Sequence, residues 1–168
     1  MNPPAESAVL VIGIGNSLRG DDAVGRKVAS RIRERNIPSV RVLEHDGEGA
    51  SLMELWKGAR TVILVDAVSS PAKPGTICRF DATHHPLPQR IFQNSTHAFG
   101  LNEAVELSRA LNQIPPRLII YGIEGKSFGI GGELSPEVEH AVPEVVDRIF
   151  AELRETYRQC KDEKLPPP

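Results

Sequence analysis

The amino-acid sequence predicts an α/β protein, a three-layer α/β/α sandwich whose twisted sheet has about five mostly parallel strands with helices on both faces. Apolar runs of strand length alternate with segments of helical periodicity, and this alternation is typical of parallel sheets covered by helices. Several runs are apolar without interruption, as expected of strands buried on both faces. The chain has 168 residues, of which 40% are hydrophobic, and this composition suits a single domain.

The first part of the chain predicts three strands and two helices. Residues 8–13 are an apolar run that ends in glycine, and a helix over 22–35 follows with its apolar side chains on one face. Residues 41–46 are predicted as the second strand, and residues 49–58 as a short helix closed by glycine. Residues 61–68, TVILVDAV, are the clearest buried strand in the sequence.

The second part of the chain continues the alternation of strands and helices and adds a glycine-rich loop. Residues 75–82 are predicted as a strand at an edge of the sheet, residues 101–112 as a helix and residues 117–123 as a further buried strand. A glycine-rich loop over 122–133 comes next. It is either a mobile surface loop or a segment that holds a substrate, since glycines allow close approach of another backbone.

The last helix of the sequence has a clear start and an irregular interior. Ser135 and Pro136 predict an N-cap and a first-turn proline. Pro143 is expected to kink or split this helix. We predict one α/β domain over residues 1–158 and a disordered tail over 159–168, which is charged and then proline-only.

Composition excludes several classes of partner and location. The formal net charge of −2 gives no general attraction to nucleic acid or to an acidic membrane surface. The two cysteines, Cys78 and Cys160, are far apart and form no C-x-x-C pair. This usage fits a reducing cytoplasm. No apolar run approaches membrane-spanning length, and the start of the chain lacks the basic region of a signal peptide.

Acidic residues follow three predicted strands. Asp21 and Asp22 follow the first strand, Asp46 follows the second, and Asp66 lies at the end of the third. Sites of open α/β sheets lie at the carboxyl ends of strands, so the carboxylates of Asp22 and Asp66 are expected to converge there. A divalent metal would make such a pair tolerable. His97, in a polar loop before a predicted helix, is the candidate third ligand.

Each of these residues also has an ordinary structural interpretation. Adjacent aspartates at a helix start commonly cap the helix and favour its dipole. An aspartate that ends a strand is often a turn residue, and a single loop histidine is more often solvated than a ligand. Sequence alone does not bring the three segments together.

Nucleotide binding is a further alternative, and it fails at specific residues. In a dinucleotide fingerprint Gly13 and Gly15 fit, but the third glycine position is Leu18. The two aspartates that follow would repel a pyrophosphate. The Gly-Lys-Ser run at 125–127 lacks the first glycine of a P-loop, because that position is Ile120. No nucleotide cofactor is therefore expected.

The combined motifs resemble a known family. G-I-G-N-S-L-R-G-D-D-A-V-G (13–25) resembles the G-x-G-N-x-L-x-x-D-[DE]-x-x-G opening of the hydrogenase maturation proteases, endopeptidases that process the large subunits of nickel–iron hydrogenases. The resemblance runs in order from residue 8 to about 155, through H-D-G-E-G (45–49), V-D-A-V (65–68), P-G-T (74–76), S-T-H-A-F-G-L (95–101) and L-S-P-E-V (134–138).

The resemblance implies an activity and a set of site residues. The family removes a C-terminal peptide from the large-subunit precursor after nickel has been inserted. Its three metal-contacting positions correspond to Asp22, Asp66 and His97, the first being Glu in some members, and Asp46 corresponds to an acid for which we expect a supporting catalytic role. The divalent metal is then nickel presented by the cysteines of the substrate. The alternative is a non-catalytic nickel-sensing or nickel-escort module that uses the same triad.

Overall fold

The computed structural model describes residues 9–88, 91–92 and 98–162, with side chains as far as Gln159. Within this part of the chain the strands are β1 (Val9–Ile14), β2 (Val40–His45), β3 (Thr61–Val68), β4 (Ile77–Asp81) and β5 (Arg117–Glu124). The α-helices are α1 (Val24–Arg33), α2 (Gly49–Trp56), α3 (Leu101–Ala110) and α4 (Pro136–Asp162), and a 3₁₀ turn (Gly20–Ala23) precedes α1.

One sheet of five strands in the order β2-β1-β3-β5-β4 forms the middle layer. The pairs β1–β2, β1–β3 and β3–β5 are parallel, and β4 pairs antiparallel with β5 at the edge. In the β3–β5 pair Asp66 lies opposite Gly122. The prediction of a mostly parallel sheet with the fourth strand at an edge is confirmed.

Helices cover both faces of the sheet, and a separate apolar core lies on each face. In β1, Val9 and Val11 belong to the core that contains residues of α1 and α4, whereas Leu10 and Ile12 belong to the core that contains residues of α2 and α3. Alternate residues of a strand point to opposite faces, so an uninterrupted apolar run serves two cores. The predicted three-layer sandwich is confirmed.

Helix α1 lies in unusually close contact with the sheet, and glycine permits this contact. A Cβ atom added to Gly25 would lie 2.3 Å from the carbonyl oxygens of both Ile14 and Val65. A Cβ atom on Gly13 would lie 2.2 Å from the carbonyl oxygen of Gly25. The start of the helix is therefore held against the carboxyl ends of β1 and β3, next to Asp66.

Three predicted boundaries are corrected. The predicted helix over 22–35 begins as the 3₁₀ turn and becomes α-helical only at Val24. The last helix is not split at Pro143. That side chain faces solvent, so the carbonyl left without a partner four residues earlier can bond to water, while the apolar face of α4 stays packed. The helix also continues to Asp162, into the predicted tail 159–168, and residues 163–168 lie outside the described part.

In the part of the chain that the structure describes, no helix has both the length and the apolar character needed to span a bilayer.

Candidate active site

The candidate site lies where the chain changes direction across the sheet. From β1 the chain passes first to β2 on one side, and the next strand, β3, pairs with β1 on the other side. Ligands of open α/β sheets bind at the carboxyl ends of strands at such a switch point. Asp22 lies in the 3₁₀ turn that follows β1, and Asp66 lies near the carboxyl end of β3.

The structure brings the carboxylates of Asp22 and Asp66 together. Burial and, secondarily, the negative charge of Asp22 raise the pKa of Asp66 to about 8, although the backbone amide of Ala67 donates a hydrogen bond to its Oδ1 at 2.8 Å and acts in the opposite direction. With that pKa, Asp66 holds a proton at neutral pH unless a cation lies beside it. The charge of Asp22 thus acts on Asp66, and the roles of both residues as metal contacts stay predictions.

Asp22 is half-buried in the 3₁₀ turn that follows β1. Burial raises its pKa above the ordinary value, against the hydrogen bond from the backbone amide of Asn16 and the positive charges of Arg19 and Arg26. That amide donates to Oδ2 of Asp22 at 3.0 Å. The Asn16 side chain turns inward on its own loop and accepts from the amide of Leu18 at 2.9 Å. Asn16 thus shapes the loop that presents Asp22.

Asp21, the neighbour of Asp22, has a different function that the sequence analysis missed. Its side chain is fully buried and accepts hydrogen bonds from the amides of Ser135 (2.6 Å), Lys126 (2.7 Å) and Ser127 (2.9 Å) and from the Ser135 hydroxyl (2.8 Å). Burial alone would raise the pKa of Asp21, but these donors lower it below the ordinary value. Asp21 therefore anchors the loop between β5 and α4 to the turn that carries Asp22.

The same bonds explain why neither glycine-rich loop resembles a phosphate cradle. The amides of Lys126 and Ser127 donate to Oδ2 of Asp21, where a P-loop would donate to phosphate. In the loop after β1, the amide of Gly15 donates to the carbonyl of His45 and that of Asp21 donates to the carbonyl of Ser127. These four amides are therefore already hydrogen-bonded within the protein.

Asp46 lies at the same edge of the sheet, directly after β2. Its Oδ1 accepts a hydrogen bond from the backbone amide of Glu48 at 3.1 Å, and 59% of its side chain is exposed. The Glu48 side chain in turn accepts from the amides of Ala50 and Ser51 and caps α2. Asp46 thus helps to form the turn that starts α2, and its catalytic role stays a prediction.

His97 lies outside the described residues, so its place as third ligand also stays a prediction. Two residues after His97, the carbonyl of Phe99 accepts a hydrogen bond from the amide of Gly49 at 2.9 Å. A Cβ atom on Gly49 would lie 2.3 Å from the Phe99 ring, so this contact requires glycine. Among the described residues, no group of three or more metal-ligating side chains is present, and Asp22 and Asp66 form a pair.

A second buried carboxylate at this edge, Glu124, was also missed. Glu124 is the last residue of β5, and its side chain accepts hydrogen bonds from the amide (2.6 Å) and the hydroxyl (2.7 Å) of Ser70. The contact joins the end of β5 to the turn after β3. An acid at the end of an otherwise apolar strand was the available signal, the same signal that identified Asp66.

Comparison with known proteins agrees with this geometry. The model of the hydrogenase maturation protease family matches residues 23–152. The chain belongs to this family. Hydrogenase 2 maturation protease of Escherichia coli is 28% identical to it over 88% of this chain and 92% of the relative. A protein of Methanocaldococcus jannaschii assigned to the same proteases is 32% identical over 87% and 96% of the two chains.

A solved structure gives the same fold. The hydrogenase maturating endopeptidase HybD from Escherichia coli superposes with a TM-score of 0.74 at 23% identity, covering 88% of this chain and 93% of that one. Membership of this protease family makes the chain a hydrolase of the peptidase class.

Proposed function

We propose that this protein removes the C-terminal peptide from the nickel-loaded large-subunit precursor of a nickel–iron hydrogenase and so completes its maturation. In this proposal Asp22, Asp66 and His97 contact the nickel that the precursor already holds, and Asp46 supports the site. The large-subunit precursor is the partner, and the cytoplasm is the compartment. Family membership supports the reaction class, and the name of the Escherichia coli relative supports a hydrogenase as the target.

The observation that carries the proposal is the convergence of two carboxylates at the switch point of the sheet. Burial and the charge of Asp22 raise the pKa of Asp66 to about 8, and this combination favours either a proton or a cation beside the pair. A divalent metal presented by the substrate would remove the repulsion between the two carboxylates. Oxygen and imidazole donors both suit nickel and related divalent metals.

The segment around Phe99 supports His97 as the third contact. The carbonyl of Phe99 is bonded to Gly49 at the start of α2, at the edge of the sheet that carries the acids. Two residues of chain span at most about 7 Å, so the position of Phe99 is compatible with the proposed contact between His97 and the metal. Two carboxylates and one imidazole leave coordination positions for the cysteines of the substrate and for water.

The chemistry assigned to the site is hydrolysis of one peptide bond. Nickel contact orients the precursor so that its scissile carbonyl lies beside the acids. A water molecule activated by the metal or by a carboxylate attacks that carbonyl carbon, and the C–N bond then breaks as the leaving nitrogen takes up a proton. Membership of a peptidase family favours this catalytic interpretation over a non-catalytic nickel-escort module.

The test is a mass-spectrometric cleavage assay. Purified protein is mixed with nickel-loaded precursor from the same source and, separately, with nickel-free precursor. The Asp66→Ala and His97→Ala variants are compared with two matched controls, Asp147→Ala and His140→Ala, whose side chains are exposed on α4. We expect loss of a single C-terminal peptide only with nickel, with the controls active and both site variants inactive.

Two results would contradict the proposal. Equal cleavage of the nickel-free precursor by metal-free protein would exclude nickel recognition. Tight binding of a correctly loaded precursor without cleavage would instead favour the escort module.

A further inference from the structure

Two loops that are distant in the sequence meet beside the candidate site. The amide of Asp21 donates to the carbonyl of Ser127 at 2.8 Å, and the amide of Gly131 donates to the carbonyl of Leu18 at 2.8 Å. Gly20 has a φ of +53°, and a Cβ atom there would lie 2.6 Å from the Ser127 carbonyl oxygen. Together with the buried Asp21 carboxylate, these contacts make residues 16–20 and 126–132 one surface, here called the two-loop platform.

The two-loop platform exposes two large apolar side chains. Leu18 is 68% exposed and Ile130 is 88% exposed. Only two other large hydrophobic side chains among the described residues are exposed, Leu107 and Leu111, and both lie at the C-terminal end of α3, away from the acids. Single exposed apolar residues need no explanation, but here the backbone of Leu18 is hydrogen-bonded to Gly131, the neighbour of Ile130. Two exposed apolar side chains on loops joined in this way, beside a candidate active site, indicate a contact surface.

The surroundings of these side chains are open and nearly neutral. A Cβ atom added to Gly129 or to Gly131 would meet no atom within 4 Å, so there is free space over this stretch of backbone. The two-loop platform contains two cations, and each has an acidic neighbour: Lys126 is paired with Glu137 at 2.8 Å, and the positive charge of Arg19 acts on Asp22. Because each cation has an acidic neighbour, the two-loop platform favours an apolar partner over a charged one.

We propose that the two-loop platform docks an apolar stretch of the protein substrate, with Leu18 and Ile130 as specificity-determining contacts. This inference rests on the proposed function, because its occupant is the hydrogenase large-subunit precursor. Leu18 precedes Asp22 by four residues, a span of at most about 14 Å. A short extended stretch of the precursor therefore reaches from the two-loop platform to the acids, so binding there aligns the scissile bond.

The expected effect is on substrate binding. A leucine or isoleucine side chain that becomes buried at an interface changes affinity by roughly tenfold or more when it is replaced by a small polar residue. Since neither side chain touches the reacting atoms, the KM for the precursor should rise by about tenfold for each variant while kcat stays unchanged.

The experiment compares Leu18→Ser and Ile130→Ser with Leu111→Ser, a matched control that is 52% exposed directly after the C-terminal end of α3. The KM and kcat for cleavage of nickel-loaded precursor are measured for each. Precursor affinity is measured separately by calorimetry with the same substitutions in an Asp66→Ala background, which blocks cleavage. Thermal unfolding and analytical ultracentrifugation of each variant report the fold and the oligomeric state.

The outcomes separate this inference from the proposed function. Loss of precursor affinity in both platform variants, but not in the control, supports docking. If the unsubstituted protein binds the precursor in this way but does not cleave it, the proposed function is wrong and the docking inference still holds. Normal cleavage with KM and affinity within about twofold of the control overturns docking alone. A fall in kcat at unchanged affinity, or a change of oligomeric state at unchanged affinity, also overturns it.

Discussion

Replacement of Asp21 by alanine should destabilise the protein far more than replacement of its neighbour Asp22. Asp21 is fully buried and accepts four hydrogen bonds of 2.6–2.9 Å. Hydrogen bonds to a charged group contribute about 1.5–3 kcal/mol each. In Asp21→Ala water can replace the carboxylate at Lys126 and Ser127, which are exposed, but not at the buried Ser135. Two unreplaced bonds give an expected loss of about 3–6 kcal/mol in the free energy of unfolding.

Asp22→Ala provides the matched control. Asp22 accepts one bond, from the amide of the exposed Asn16, and its raised pKa means that folding disfavours its charge. The free energy of unfolding should therefore change by less than about 1 kcal/mol, while precursor cleavage is lost. Urea denaturation at pH 7 followed by circular dichroism measures both free energies, provided that the slope with denaturant is the same in all proteins.

The pH dependence gives a second readout. The pKa of Asp21 is lowered on folding from the ordinary value of 3.8, so its stabilising contribution is complete above that value and is lost as the pH falls through the folded-state pKa. The difference between wild type and Asp21→Ala should shrink accordingly at acidic pH. The reasoning is wrong if Asp21→Ala lowers the free energy of unfolding by less than about 1 kcal/mol, or if Asp22→Ala lowers it by more than that amount.

Three other substitutions test the site and its support. Asp66→Asn should abolish cleavage and yet raise the free energy of unfolding at pH 8. A carboxyl whose pKa in the folded protein is about 8 destabilises the fold increasingly as the pH rises from about 4 to 8, and asparagine carries no such charge. A variant that is no more stable than wild type in urea at pH 8 would contradict this. Gly25→Ala should cost roughly 2–3 kcal/mol, since its Cβ would lie 2.3 Å from two carbonyl oxygens, whereas Gly129→Ala should cost little; equal melting temperatures would refute the steric argument. Glu152→Gln should lower the free energy of unfolding by about 3 kcal/mol, as measured by thermal unfolding, because this buried carboxylate accepts hydrogen bonds from two arginines and Tyr121. A decrease below about 1 kcal/mol would contradict this and would mean that water replaces the lost hydrogen bonds.

Most of the sheet could be predicted because buried strands leave a simple pattern. The prediction for residues 61–68 matches β3 at both ends, since polar or turn residues bound an apolar run that packs on both faces. The antiparallel direction of β4 was not predicted, because direction depends on pairing with β5 and leaves no local trace. At Pro143 a local helix-breaking preference was overridden: the residue faces solvent, and the helix around it stays packed.

The candidate site could be predicted in part. The convergence of Asp22 and Asp66 follows from one rule, that acids at the carboxyl ends of adjacent parallel strands meet. The function of Asp21 could not be inferred, because its hydrogen-bond donors come from Lys126, Ser127 and Ser135, more than a hundred positions along the chain. Adjacent aspartates look equivalent in a sequence, and only the tertiary partners of each distinguish them.

The two adjacent aspartates of this turn therefore have different functions: Asp21 stabilises the fold, and Asp22 belongs to the candidate site. Asp21 turns into the protein, where backbone amides stabilise its charge and lower its pKa. Asp22 turns towards Asp66, and the charge of Asp22 helps to raise the pKa of Asp66. Because the first carboxylate is fully satisfied by donors of the protein, it can hold the two loops rigidly. The Asp22–Asp66 pair instead holds a proton on Asp66 at neutral pH, and in the proposed function the nickel of the substrate would take the place of that proton.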